Sequence, residues 1–213
     1  MSERIPRFGV LLAAMVAELT LAPFIALVPG GLTMVRVLTA LVLVAALWVA
    51  GARRTAVVLF AGALISHLVA GISTVSSATA AAGALRLLFL SYVIALVVRH
   101  VLRDRTITLD TVSGAACAYM LIGVVWADLF LLVELMRPGS FYVPAAWLAG
   151  PNEDLRSVLV YFSFATLTTL GYGDIHPTEP AAGSLCAAEA LVGQLYLAIM
   201  IARMVGLHAS QRR

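Results

Sequence analysis

Two glycines alternate with larger residues in the stretch TLTTLGYGD, which covers residues 166–174. Glycine has no Cβ and therefore enters left-handed backbone conformations at little cost. A chain that alternates between right- and left-handed conformations can turn successive carbonyl groups to one side, and Gly171 and Gly173 have the spacing for this. Carbonyl oxygens stacked in this way can replace the water shell of a bare monovalent cation. The stretch therefore predicts a backbone that binds cations.

Other chemistry is poorly represented in the sequence. Cys117 and Cys186 both lie in apolar stretches, where cysteine acts as a small buried hydrophobe. No cluster of cysteine and histidine has metal-ligand spacing, and no nucleophile stands beside a base. The net charge of +3 comes from arginines at segment ends and not from one basic patch. We therefore expect no enzyme activity, no organic cofactor and no nucleic-acid partner.

The elements that must position this stretch are membrane helices. Of the 213 residues 62% are hydrophobic and 12% are charged, and the mean hydropathy is +1.01. This composition indicates an integral membrane protein. Apolar stretches of about twenty residues, long enough to span a bilayer as helices, recur six times. We place them at 8–28, 33–52, 56–73, 79–102, 111–136 and 182–206.

A shorter apolar stretch, 155–168, leads directly into the glycines. It is too short to span a bilayer, so we interpret it as a re-entrant helix with Asp154 as its N-cap. Its C-terminal end would direct a partial negative charge towards the membrane centre, where a dehydrated cation would be stabilised. The irregular backbone that follows is tolerated at membrane depth only where protein buries it or water reaches it. This favours a pore built by several chains.

Arginine bias predicts the orientation. Two arginines, Arg137 and Arg156, fall in loops on one side, and those at positions 4, 7, 53, 54, 99, 103, 105, 212 and 213 fall on the other. Both termini are therefore expected to be cytoplasmic. The first segment is unlike a cleaved signal peptide, because its apolar run is too long and has no clean small-x-small site.

The string TTLGYGD resembles the selectivity filter of the potassium channel superfamily, with Leu170 where valine is commoner. The resemblance extends from about Asp110 to Leu207. It implies an all-α homotetramer of six-segment bacterial type in the plasma membrane, with a peripheral four-helix domain at 1–106 and a pore domain at 107–213. Its expected partners are membrane lipid and K⁺, the latter bound in the filter only. The implied ion-coordinating residues are Thr169, Leu170, Gly171, Tyr172 and Gly173.

The same resemblance implies a set of residues that support the filter. Aspartate at position 174 is expected to accept a hydrogen bond from an aromatic residue of the pore helix, which Tyr161 can donate and Phe162 cannot. A weaker hold on the filter is therefore possible, and a weakly selective cation channel stays open as an alternative. His176, just beyond, is either a pH-sensitive vestibule residue or a solvated loop residue.

Glu189 lies at the depth of the pore helix, where a lone carboxylate is costly. One interpretation is that Glu189 and Asp128 each cap a backbone group or pair with Arg86. The other is that Glu189 packs behind the filter against Ser163 or Thr166, with Asp128 as its neighbour, and donates a hydrogen bond as a neutral acid.

The last segment contains Gly193 where many potassium channels have a glycine at a bend of the inner helix. A hinge and close packing both explain a glycine inside a helix. By helical spacing Gln194, Leu197 and Ile201 share one face, which we assign to the inner cavity and gate.

The first four segments resemble a voltage sensor in number only. A sensor needs arginine at every third position of segment four, and here Arg86 is alone in the apolar body. We expect little voltage dependence and a structural ion pair between Glu18 and either Arg36 or Arg86. A transporter is the less favoured class, because the chain has one filter motif and no inverted repeat.

Overall fold

The computed structural model describes residues 7–51, 53–72, 76–104, 106–148 and 155–211. Within these residues the chain is helical apart from its loops, a short 3-10 turn at Ala145–Leu148 and two very short strands. The helices, in chain order, are α1 (Arg7–Ala26), α2 (Gly31–Ala50), α3 (Arg54–Ile72), α4 (Ser76–Arg103), α5 (Leu109–Met136), α6 (Leu155–Leu167) and α7 (Pro180–Gln211). The strands are β1 (Phe141–Tyr142) and β2 (His176–Pro177). This confirms the all-α membrane fold.

Among the described residues five helices are long and apolar enough to cross a membrane: α1, α2, α4 from Ala80, α5 and α7 up to Ala209. In α3 the apolar stretch is shorter, Arg54–Ile65. The count of six crossings therefore stays a prediction. So do the domain division at residue 106 and the orientation of the termini. The predicted N-cap at Asp154 lies outside the described residues.

Helix boundaries follow local chemistry. Gly30, with φ 78°, separates α1 from α2, and Gly51, with φ 73°, ends α2. Thr108 starts α5, because its hydroxyl oxygen accepts a hydrogen bond from the backbone N–H of Thr111 at 3.1 Å. After α5 the carboxylate of Glu134 accepts bonds from the backbone N–H groups of Gly139 and Phe141. These bonds hold the turn that leads into β1.

α5 lies at the centre of the chain. It packs against α1 and α4 on one side and against α6 and α7 on the other. One apolar core joins α1 to α5 and includes Met200 of α7. A second core joins the end of α5 to β1, α6 and the start of α7. The short helix α6 is thereby held between α5 and α7.

The two strands close the loop between α5 and α7. They pair antiparallel, with Phe141 opposite Pro177 and Tyr142 opposite His176. The His176 ring stacks on the Tyr142 ring at a centroid distance of 4.9 Å. His176 lies in this strand pair and is exposed, and both interpretations of its role stay predictions.

Candidate functional site

The backbone after α6 alternates in handedness. Thr169, Gly171 and Gly173 have φ values of 59°, 56° and 77°, and Leu170 and Tyr172 between them are not left-handed. The left-handed conformation of the two glycines confirms the sequence prediction. That of Thr169 was not predicted, and it costs a residue with a Cβ about 1–2 kcal/mol. The alternation has the two-residue period that turning successive carbonyls to one side requires.

The start of this segment is fixed to the last turn of α6. The backbone N–H groups of Leu170 and Gly171 both donate to the carbonyl oxygen of Ala165, at 2.8 and 3.2 Å. The N–H of Thr169 donates to the carbonyl oxygen of Thr166 at 2.9 Å, so Thr166 supports the segment through its backbone. The segment therefore has to follow any movement of α6.

The far end of the segment is held by Tyr161. Its hydroxyl group donates to the Asp174 carboxylate at 2.7 Å, which is the predicted bond. The other oxygen of Asp174 accepts from the backbone N–H of Ile175 at 2.9 Å, and the Trp147 ring packs on Tyr161 at 5.1 Å. The α6 helix thus holds both ends of the stretch.

Phe162 supports the segment by packing alone. Its ring lies 5.4 Å from that of Phe130 and 5.6 Å from that of Phe141, measured between centroids, in the second apolar core. Phenylalanine has no hydrogen-bonding group, so this side chain cannot hold Tyr172 by a hydrogen bond. The pair Tyr161–Phe162 thus supplies one hydrogen bond and one apolar anchor.

Glu189 and Ser163 meet behind the segment. The Ser163 hydroxyl oxygen lies 2.5 Å from Oε1 of Glu189 and 2.7 Å from the carbonyl oxygen of Gly123 in α5. Glu189 is fully buried, and within the described chain its Oε2 atom has no hydrogen-bond partner. The prediction that Glu189 contacts Ser163 or Thr166 is thus confirmed for Ser163.

The number of protons available in this contact limits which group can donate. A serine hydroxyl carries one proton, and a backbone carbonyl can only accept. If Ser163 donates to Gly123, its contact with Glu189 is satisfied when Glu189 carries the proton and donates. The three groups would then form a chain of hydrogen bonds that joins α7, α6 and α5.

Asp128 is not the neighbour of Glu189, which corrects that part of the expectation. Its carboxylate is fully buried and accepts from Nε and Nη2 of Arg86 at 2.7 and 2.6 Å. It also accepts from Nε of Arg156 at 3.1 Å. The partners of this carboxylate are thus two arginines and not the carboxyl group of Glu189. The interpretation that paired Asp128 with Arg86 is the one that the structure confirms.

The predicted pair of Glu18 with Arg86 is wrong, because Nε and Nη2 of Arg86 both bind Asp128. Glu18 accepts instead from the Thr39 hydroxyl group at 2.5 Å. The carbonyl oxygen of Arg36 lies 3.2 Å from Nε2 of His67. The pairing of Glu18 with Arg36 stays a prediction.

Gly193 lies where α7 crosses the end of α6. A Cβ at this position would lie 2.4 Å from the carbonyl oxygen of Leu167 and 2.8 Å from its Cδ1 atom. These distances are shorter than any real Cβ contact, so the backbones are close enough that only glycine fits. Close packing explains this glycine without a hinge.

The face assigned to the cavity points away from the rest of the chain. Gln194, Leu197 and Ile201 are all exposed, and Gly193 and Met200 on the other side of α7 are buried. Exposure in a single chain leaves open what this face contacts, so the cavity and gate stay a prediction.

Sequence reasoning missed two residues of this arrangement. Arg156, beside Asp128, was counted only as a loop charge, although a cation in the first turn of a helix is unfavourable and therefore signals a carboxylate partner. Arg203 donates to the carbonyl oxygens of Leu102 and Asp104, at 2.5 and 2.9 Å, and so ties α7 to the end of α4. In the part of the chain that the structure describes, no group of three histidine, cysteine or acidic residues could hold a metal ion.

Comparison with known proteins bears on the same region. A protein family described as Ion channel matches residues 150–208, which contain α6, the alternating segment and most of α7. Two pore potassium channel c of Oryza sativa subsp. japonica is 38% identical over 86 residues. That match covers 38% of this chain and 19% of the length of the rice protein. No solved structure matches the chain.

Gly193→Ala tests the close packing. The added methyl group overlaps backbone atoms of Leu167 that cannot move without shifting α6, so we expect a loss of about 1–3 kcal/mol in stability. The measurement is the midpoint of thermal unfolding in detergent. Gly206→Ala is the matched control on the same helix, because a Cβ there meets nothing within 4 Å. Equal midpoints for the two variants would show that the helices have room to separate.

Glu189→Gln and Glu189→Leu test the hydrogen-bond chain. Glutamine keeps a donor of the same shape for Ser163, so its unfolding midpoint should match that of the parent. Leucine removes the partner and should cost about 1–3 kcal/mol. Ser163→Ala in each background supplies the control, because the difference between the two variants should disappear without the hydroxyl group. A leucine variant as stable as the glutamine variant would show that the contact contributes nothing.

Proposed function

We propose that this chain, a member of the potassium channel superfamily, conducts K⁺ passively through a pore formed by four copies of itself. The chain is thus the subunit of an ion channel, and the proposal assigns it no catalytic step. The observation that carries the proposal is the alternation of left-handed residues at 169, 171 and 173. This is the backbone form that stacked rings of carbonyl oxygens need.

The chemistry of conduction follows from those rings. Carbonyls of Thr169, Leu170, Gly171, Tyr172 and Gly173 would replace the water that a K⁺ ion loses on entry. The C-terminal end of α6, at Leu167, stands just before the rings, and its partial negative charge favours a cation there. Binding at several similar sites in a row lets one ion displace the next.

Four copies are proposed because one chain supplies one filter strand. Leu170 and Tyr172 are 52% and 70% exposed in the single chain, although both follow a buried helix. The backbone that carries them is irregular, and at membrane depth such backbone has to be buried in protein or to line water. Neighbouring copies would cover them. We further propose a bacterial plasma membrane as the location, with both termini cytoplasmic.

A weakly selective cation channel of the same architecture is the second candidate. The observation in its favour is that Tyr161 holds Asp174 by a hydrogen bond, whereas Phe162 packs against the rings of Phe130 and Phe141 and has no hydrogen-bonding group. A filter held by fewer hydrogen bonds adapts more easily to an ion of another size.

Flux into liposomes tests the proposed function. The purified protein should carry K⁺ down its gradient at channel rates and carry Na⁺ far more slowly, and its mass in detergent should be that of a tetramer. Gly173→Ala should abolish the selective flux, because φ 77° is strained for a residue with a Cβ. Gly206→Ala is the control and should conduct. Similar K⁺ and Na⁺ rates would favour the second candidate, and a conducting monomer would contradict the four-chain pore.

Voltage dependence tests the role of the first four helices. Arg86 is the one arginine in the apolar body of α4, and Asp128 of α5 holds it at two nitrogens. Moving a charge across the membrane contributes about 2.3 kcal/mol per 100 mV, and several such charges are needed for steep opening. We expect an open probability that changes little with voltage in planar bilayers. Steep activation, equivalent to several gating charges per subunit, would refute this.

A further inference from the structure

A single carboxylate connects the peripheral helices to the pore helix. Asp128, in α5, binds Arg86 of α4 through two hydrogen bonds and Arg156 of α6 through one. The exposed fractions of the three side chains are 0%, 5% and 15%. Removing one partner of a buried ion pair strongly destabilises a protein, because the other charge is left buried without compensation. The three groups therefore fix the relative positions of three helices.

The charges around Asp128 show that the connection involves more than one pair. Two guanidinium groups face one carboxylate. Glu18 of α1 borders the same small cavity as Arg86 and Arg156. Charged side chains of α1, α4 and α6 thus line one small cavity within a largely apolar protein.

The position of Arg156 explains why the pore helix needs this carboxylate. Arg156 is the second residue of α6, at the end where the helix dipole is positive. A cation there is repelled by the helix that carries it. Asp128 offsets both the charge of Arg156 and the partial charge of the helix end. The N-terminal end of α6 is therefore held where Asp128 is held.

The opposite end of α6 carries the filter. Leu170 and Gly171 donate to the Ala165 carbonyl oxygen, and Asp174 accepts from Tyr161. A helix of thirteen residues moves nearly as a rigid body, so a shift at Arg156 reaches both attachment points. The α4 helix is in turn fixed at its other end, where Arg203 of α7 donates to the carbonyl oxygens of Leu102 and Asp104.

We propose that Asp128 is a positioning residue through which α4 sets the position of the pore helix and hence the geometry of the filter. This rests on the proposed function only for its effect on ion selectivity. The connection gives the peripheral helices a direct route to the filter, by way of Arg86, Asp128 and Arg156. It needs no movement of charge through the membrane field.

The test is Arg86→Gln, which removes the ion pair between α4 and Asp128. Asp128 then stays paired with Arg156 of α6. Hydrogen–deuterium exchange of residues 155–174 should become roughly tenfold faster, which corresponds to about 1.4 kcal/mol. The ratio of K⁺ to Na⁺ flux in liposomes should fall in the same variant. Arg99→Gln is the matched control, an exposed arginine on the same helix, and should change neither quantity.

A double-mutant cycle separates positioning from a general loss of stability. Asp128→Asn removes the charge that holds both arginines and leaves no unpaired carboxylate in the protein interior. In that background Arg86→Gln should produce no further increase in the exchange of residues 155–174 and no further fall in the flux ratio, because the connection is already interrupted. Additive effects, or an Arg86→Gln variant whose exchange increases in α4 and α5 alone with an unchanged ratio, would overturn the proposal.

A second variant and a measurement on the parent protein complete the experiment. If Arg86→Gln does not assemble, Arg86→Lys keeps the charge and loses the two-nitrogen contact, and a smaller change in the same direction is expected. A parent protein that carries no K⁺ would refute the proposed function, and the exchange experiment would still test the connection through Asp128. Unchanged exchange of residues 155–174 in both Arg86 variants would refute the connection whatever the flux.

Discussion

A backbone that alternates in handedness cannot make the hydrogen bonds of a helix or a sheet with itself, and this constraint governs the rest of the structure. At membrane depth an unsatisfied backbone group costs several kcal/mol. The segment from Thr169 to Gly173 therefore has to be held in position by other parts of the chain, and α6 holds it at both ends. At the start the Ala165 carbonyl oxygen accepts two N–H groups. At the far end Tyr161 reaches Asp174.

The position of α6 depends in turn on how closely the neighbouring helices α5 and α7 approach it. α6 lies between α5 and α7, and a glycine faces it from each side. A Cβ at Gly123 would lie 3.0 Å from the Phe164 ring, and one at Gly193 would overlap the Leu167 carbonyl group. Small residues at helix interfaces let backbones approach and pack in a membrane, where there is no hydrophobic driving force between helices. Ser163 can bond both neighbouring helices because of this short spacing.

The parts of this arrangement that could be predicted from sequence are those governed by local chemistry. Length and hydropathy locate the helices within a few residues, and α6 at Leu155–Leu167 was predicted at 155–168. The left-handed conformation of the two glycines follows from the motif itself, and the Tyr161–Asp174 bond is what the resemblance to potassium channels implies. The partner of Arg86 could not be predicted in the same way, because it depends on which face of α4 meets α5. Glu18 and Asp128 both lie at suitable depth, and depth alone does not choose between them. The strained φ of Thr169 also has no signal in its residue type.

The ion pair between Arg86 and Asp128, one of several pairings left open by the sequence, changes how the first four helices are understood. A boundary at residue 106 would separate Arg86 from the carboxylate that neutralises it, since Asp128 lies on α5. An arginine in the apolar body of a helix is costly without such a partner. The peripheral helices therefore depend on α5 for the carboxylate that neutralises Arg86. Likewise Arg156 at the start of α6 depends on an acid that Arg86 also binds. Each region therefore supplies a charge that pairs with one in the other, and the two regions are joined at the start of α6, the helix that holds the alternating segment.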